Sequence, residues 1–234
     1  MPFFWKKPEL LILMIHGFGM RTSSEFDELY AYLERKKYAV RRFDIYDPHD
    51  PEDADPETWI SRCVEQMHSA LEENKNVVVL GFSMGGVIAT YLASIFKLKG
   101  LILVAPAFRY MDLSKVEKAV SAYIGSLYAK AEKEVKEKPS SDQTRAFMQL
   151  VDKYRDRVSQ ITCPVLILHG TDDEVINVRS SRDAFAKIPT EHKRLVLVEG
   201  AHHRMLYDGQ QQDVPFALIN DFLQGEIART PLGK

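Results

Sequence analysis

Two cysteines, Cys63 and Cys163, are all that the 234 residues contain. So few thiols exclude a disulfide framework and a CxxC metal pair, and each stands in or beside an apolar segment, where a buried thiol is expected. Net charge is scarce as well. A formal charge of -2 offers no general attraction to nucleic acid or to an anionic membrane surface. Long apolar runs are missing too: in "MPFFWKKPELLILMIHGFG" the apolar stretch lasts only about seven residues and enters a glycine turn without a cleavage site. The expectation is a cytoplasmic chain with no membrane span, no nucleic-acid partner and no repeat or low-complexity segment. Nothing in the sequence sets an oligomeric state.

What the chain does have is enough apolar residues, 45%, for a closed core in one sizeable domain or two small ones. Six short runs, "LLILMI" (10–15), "AVRRFDI" (39–45), "VVVL" (77–80), "GLILVA" (100–105), "PVLILHG" (164–170) and "RLVLVEG" (194–200), are β-branched or leucine-rich and bounded by turn residues. They are predicted strands. Four have almost no polar alternation, as strands covered on both faces of a mainly parallel sheet should. Helical spacing lies between them. Residues 24–36 place Phe26, Leu29, Tyr30 and Leu33 on one face, and Asp55-Pro56-Glu57 caps a helix that carries Trp59, Cys63, Val64, Met67 and Leu71. Strand alternating with helix predicts a doubly wound α/β fold.

The alternation fails once. From about Phe108 to Gln160 there is no strand signal, only two helix-like stretches joined by "KEKPSSDQ". The division expected is a core of residues 1–106 and 161–234, with a helical cap at 107–160 inserted after the fourth strand, over the strand ends where open α/β sheets bind ligands.

Into the third strand-to-helix turn is set "GFSMGG", residues 81–86. A bare GxSxG arises by accident in roughly 8 percent of chains this long, so the motif needs its context. Here the context is present: a strand, a sharp turn that lifts the Ser83 oxygen out of the sheet, and a helix whose first N–H groups point at the site. A serine hydroxyl needs a base, and the base needs an orienting acid. "HGTDDEV" puts Asp172 and Asp173 after the fifth strand, and "EGAHHRM" puts His202 and His203 after the sixth.

The motifs "HGFG", "GFSMGG", "HGTDDEVIN" and "EGAHH", in that order, resemble the α/β-hydrolase superfamily, and within it the small bacterial carboxylesterase and monoacylglycerol lipase branch. The resemblance covers nearly the whole chain, including the insertion, which matches that branch's small cap. It implies a six-stranded α/β-hydrolase fold and a cofactor-free, metal-free serine hydrolase acting on small to medium carboxylic esters. Ser83 would be the nucleophile, Asp173 the acid and His203 the base, with the backbone N–H groups of Phe18 and Met84 as the oxyanion hole. Two positions depart from the branch: His202 replaces the usual glycine or serine before the base, and the loop "YDPHDPEDADP" lacks the usual "GHG". An acyltransferase, a thioesterase, a hydroxycinnamoyl esterase and a non-catalytic ligand-binding protein remain alternatives on the same framework.

Other candidates read more simply. "GFGMRT" with Asp44 suggests a dinucleotide site, but Thr22 occupies the third small position and that reading leaves "GFSMGG" and "GAHH" without a role. The acidic residues at 47–55 are broken by prolines 48 and 51 and have no metal-ligand spacing, so a solvated loop is expected. His16, His68, His169 and His192 are expected to be structural or surface residues. In the insertion, Val116, Val120, Tyr123, Ile124, Leu127 and Tyr128 form an apolar stripe. Tyr123, Ile124, Leu127 and, at the rim, His202 are the candidate pocket residues.

Overall fold

The structure, a computed structural model, describes residues 10–108, 138–207 and 211–225. The stripe in the insertion, with Tyr123, Ile124 and Leu127, lies outside the described residues.

Six strands, β1 (Leu11–Ile15), β2 (Ala39–Arg42), β3 (Val77–Phe82), β4 (Gly100–Val104), β5 (Val165–Gly170) and β6 (Lys193–Val198), form one sheet in the order β2-β1-β3-β4-β5-β6. All five pairings are parallel. Because successive side chains point to opposite faces, the apolar runs feed two cores. Leu11, Leu13, Ile15, Val77 and Val79 pack on one face; Ile12, Met14, Val78, Leu80 and Phe82 pack on the other. The second strand is shorter than its sequence pattern: the ladder ends at Arg42, and Ile45 and Tyr46 leave the edge to fill the first core as loop residues.

Helices α2 (Pro56–Glu73), α3 (Met84–Ile95), α4 (Ser141–Tyr154) and α5 (Arg179–Lys187) contribute to the first core. The second is closed by α1 (Asp27–Arg35), which follows a 3-10 turn at Thr22–Phe26, and by α6 (Asp213–Leu223). The predicted cap of α2 is present: Asp55 accepts the Glu57 and Thr58 N–H groups at 3.3 and 2.9 Å, and Pro56 opens the helix.

Helix α4 begins with a capping box, in which the Ser140 hydroxyl oxygen accepts the Gln143 N–H and the Gln143 carboxamide oxygen accepts the Ser140 N–H. The other end of that buried carboxamide donates from Nε2 to the carbonyls of Asp47 and Asp50, at 2.8 and 3.0 Å. The 47–53 loop is thereby tied to α4. Its acids are also occupied internally: Asp53 receives the Asp47 N–H, the Trp59 indole and Arg62.

Both cysteines are free and buried, and burial pushes Cys63 well above and Cys163 up to about 12, so neither forms a thiolate readily. Among the described residues no helix is long and apolar enough to cross a membrane.

Candidate active site

The order of strands puts the site where it is. The chain runs outward from β1 to β2, then returns to β3 on the other side of β1, so the carboxyl ends of β1 and β3 are neighbours with their following loops diverging. Residues 16–19 leave β1 there and Ser83 leaves β3 beside them.

Ser83 sits at φ 52, ψ -116, a conformation costly for any residue with a side chain, of order 1–3 kcal/mol. Close packing enforces it. A Cβ on Gly81 would lie 2.3 Å from Gly85 O, and one on Gly85 would lie 2.0 Å from Ile15 O, so strand, helix and β1 approach as they do only because both residues are glycine. The Ser83 N–H bonds Val104 O at 3.0 Å, and its carbonyl accepts from Gly86 and Ala107. Ser83 Oγ then lies 3.2 Å from His203 Nε2, and His203 Nδ1 lies 2.8 Å from Asp173 Oδ2. A carboxylate only accepts, so Nδ1 carries the proton and the Nε2 lone pair faces the serine hydroxyl.

The loops bearing Asp173 and His203 are held together by short polar bonds. Thr171 N–H and Asp172 N–H bond the carbonyls of Val198 and Ala201, and the Thr171 hydroxyl oxygen accepts the Gly200 N–H. Asp173 Oδ1 accepts the N–H groups of Val175 and Ile176 at 2.9 and 2.7 Å. Burial pushes the Asp173 carboxyl up, but the charge of His203 and the bonds from His169, His203 and Ile176 outweigh it and hold the group well below the usual carboxylate range. The doublets separate clearly. Asp172 is exposed and its carboxylate accepts the Thr171 hydroxyl, while Asp173 turns inward with its side chain buried. His202 is exposed and pairs with Glu174 at 3.3 Å, whereas His203 is fully buried against Phe82.

After β1 the backbone is clamped on both sides of Phe18. His16 accepts the Ile45 N–H on Nε2 and therefore donates from Nδ1 to Gly17 O, at 2.8 and 2.7 Å. Burial lowers its pKa to about 4, so it stays neutral in that role. Gly17 N–H donates to buried Glu25 Oε2 at 2.9 Å. Gly19 is held through both its groups by Tyr46 Oη, which accepts the N–H at 2.8 Å and donates to the carbonyl at 2.9 Å. Phe18 N–H, between two engaged amides, has no partner among the described residues. The Phe18 ring stacks on Phe147 of α4, with centroids 4.8 Å apart and planes 4° from parallel, and on Tyr46 at 5.7 Å. Met84, the other expected oxyanion donor, is the first residue of α3 and is buried.

The structure brings together Ser83, Asp173 and His203, the trio that the resemblance implies. Sequence reasoning missed Glu25, Tyr46 and Phe147. Asp44, named in the dinucleotide reading, accepts the Ser23 N–H.

A family model described as "alpha/beta hydrolase fold" matches residues 11–132. The chain belongs to the alpha/beta hydrolase fold family. A second model, "Serine aminopeptidase, S33", matches residues 126–210 of this alpha/beta hydrolase. A carboxylesterase of Bacillus subtilis (strain 168) is 24% identical over 95% of the chain and 96% of its own length. Among solved structures, a monoacylglycerol lipase from Paleococcus ferrophilus superposes with a TM-score of 0.74 at 18% identity, covering 94% of this chain and 96% of that one. A soluble variant of monoglyceride lipase from Saccharomyces cerevisiae superposes at 0.77 with 19% identity, covering 95% and 88%. These likenesses establish the six-stranded alpha/beta hydrolase fold.

Proposed function

We propose that this alpha/beta hydrolase is a serine hydrolase that cleaves carboxylic esters of small to medium size, of the carboxylesterase or monoacylglycerol lipase type. The observation that carries the reading is the unbroken line Ser83 Oγ, His203 Nε2, His203 Nδ1, Asp173 Oδ2, with contacts of 3.2 and 2.8 Å. The full-length similarity to a carboxylesterase supports the ester bond as the target.

Ser83 attacks the ester carbonyl while His203 takes its proton on Nε2, and the charge that appears on the imidazole is met by Asp173, which is already an anion and is fixed by two backbone N–H groups. The oxygen that gains charge in the tetrahedral intermediate is received by the N–H groups of Phe18 and Met84. Collapse expels the alcohol, protonated by His203, and leaves an acyl group on Ser83. Water, deprotonated by the same histidine, releases the acid. No redox or metal step enters this sequence.

In this reading residues 107–160 form the cap, rooted in the first core through α4; Tyr123, Ile124, Leu127 and His202 border the substrate, and the protein acts in the cytoplasm on a small-molecule ester. The test is labelling with a fluorophosphonate together with hydrolysis of p-nitrophenyl acetate, butyrate and octanoate. Wild type should label and turn over, and folded Ser83→Ala should do neither. Normal hydrolysis by that variant would end the reading.

A further inference from the structure

The acid of the site touches a second histidine that the mechanism leaves unused. His169 is the penultimate residue of β5, fully buried, four residues before Asp173. Its Nε2 lies 2.8 Å from the carbonyl oxygen of Ile176 and 3.1 Å from Asp173 Oδ2, the oxygen that also receives His203 Nδ1. A carbonyl oxygen can only accept, so the proton sits on Nε2 and is shared between the carbonyl and the carboxylate. The other nitrogen, Nδ1, faces the Ser181 hydroxyl on α5 at 2.7 Å, and with Nε2 protonated that hydroxyl donates to it.

We propose that His169 is a positioning residue of the catalytic centre, whose Nε2–H holds the Asp173 carboxylate in the rotamer that meets His203. Oδ1 is fixed by the amides of Val175 and Ile176, and a carboxylate held through one oxygen alone can still swing about that anchor. His169 adds a second N–H contact to the other oxygen, at 3.1 Å, beside the 2.8 Å contact from His203. The ring is itself held between β5, α5 and the turn at Ile176, so the acid is referenced to the sheet and not only to its own loop. His169 touches neither substrate nor Ser83, and its effect passes entirely through Asp173.

The inference rests on Ser83, His203 and Asp173 acting as proposed, and its test separates the two. A glutamine at 169 can place an amide N–H where Nε2 stands; an asparagine reaches only the Nδ1 position, towards Ser181; a leucine donates nothing. With p-nitrophenyl butyrate, His169→Asn and His169→Leu should lose about tenfold in kcat with KM within about twofold, while His169→Gln should stay within about threefold of wild type. The low-field proton resonance of the His203 Nδ1–H should be broadened or displaced in the asparagine and leucine variants and retained in the glutamine variant. Equal behaviour of His169→Asn and His169→Gln in both readouts, or an unchanged His169→Leu, overturns the proposal. If His169→Leu does not fold, the two amide variants decide it. If wild type neither labels nor hydrolyses, the ester-hydrolase reading falls, and the resonance comparison still decides whether His169 holds the acid.

Discussion

Glu25 offers a test of the buried polar frame behind Phe18 that needs no substrate. Its carboxyl accepts the Gly17 N–H from a position only 4% exposed. Burial raises its pKa from 4.5 to about 7, against the opposing pull of the Gly17 N–H, Arg21, Arg204 and the Tyr207 hydroxyl. The folded value therefore lies above the unfolded one. Below pH 4.5 the carboxyl is protonated in both states and folding carries no penalty. Between 4.5 and 7 the unfolded chain ionises while the folded one resists, so stability falls as pH rises, and above 7 the full penalty is in place. At about 1.4 kcal/mol for each pH unit, the penalty is about 3 kcal/mol. Glu25→Gln keeps an oxygen for the Gly17 N–H but has nothing to ionise. Wild type alone would hide the effect, because His16, lowered from 6.5 to about 4, loses stability in the opposite direction as pH falls through the same range. The difference between variant and wild type cancels His16. Urea unfolding of both proteins across that range should show Glu25→Gln gaining about 3 kcal/mol on wild type as pH rises, with most of the change between pH 4.5 and 7. A flat difference would mean that Arg21 and Arg204 hold the carboxylate as an ion throughout, and a falling one would refute the burial argument outright.

Further outcomes follow from other contacts. Asp173→Asn and His203→Ala should each lose at least about 100-fold in kcat, and Asp172→Asn and His202→Ala less than about tenfold, measured on a short ester; the reverse ranking in either doublet would move the triad by one residue. Gly85→Ala drives a methyl group to 2.0 Å from a backbone oxygen of β1, which cannot yield, so a loss of more than about 4 kcal/mol is expected and soluble protein with wild-type urea resistance would contradict the packing. Tyr46→Phe leaves both polar groups of Gly19 without their partner; kcat should fall about tenfold with KM nearly unchanged, and an unaltered kcat would remove Tyr46 from the support of the proposed oxyanion loop.

The sheet was legible because burying a strand on both faces demands an unbroken apolar run, and such runs are visible at a glance in β1, β3, β4 and β5. At the edge the rule weakens. All four residues of β2 are only partly buried, and the apolar Ile45 beyond them serves a loop, so the pattern outlasted the ladder by three residues. Ser83 and the doublets Asp172-Asp173 and His202-His203 could be found because each follows a strand within a short motif, where Gly81, Gly85 and Gly170 are required by close backbone approach and Gly200 by its positive φ; the resemblance then picks one member of each doublet. Glu25 and Tyr46 leave no such trace, and His169, although it opens "HGTDDEV", reads only as a structural or surface residue. Glu25 has the spacing of a surface residue on an amphipathic stretch, and its partner is eight residues away in another turn. Tyr46 meets Gly19 across 27 residues, and His169 sits in a strand where a polar side chain reads as an interruption. Buried hydrogen bonds between distant segments have no period, so pattern reasoning passes over them.

The tie between Gln143 and the 47–53 loop, with the stack of Phe147 on Phe18, sets where this chain can be cut and rejoined. A graft that exchanged everything between β4 and β5 would take away Phe147, Leu150, Val151, Tyr154 and Val158, strip the first core, and leave the loop carbonyls at 47 and 50 without their donor. Joining instead at 108 and 138 keeps Ser140, its capping box and all of those residues with the host. A designer seeking new ester preferences from this scaffold should treat α4 as part of the chassis and leave it in place.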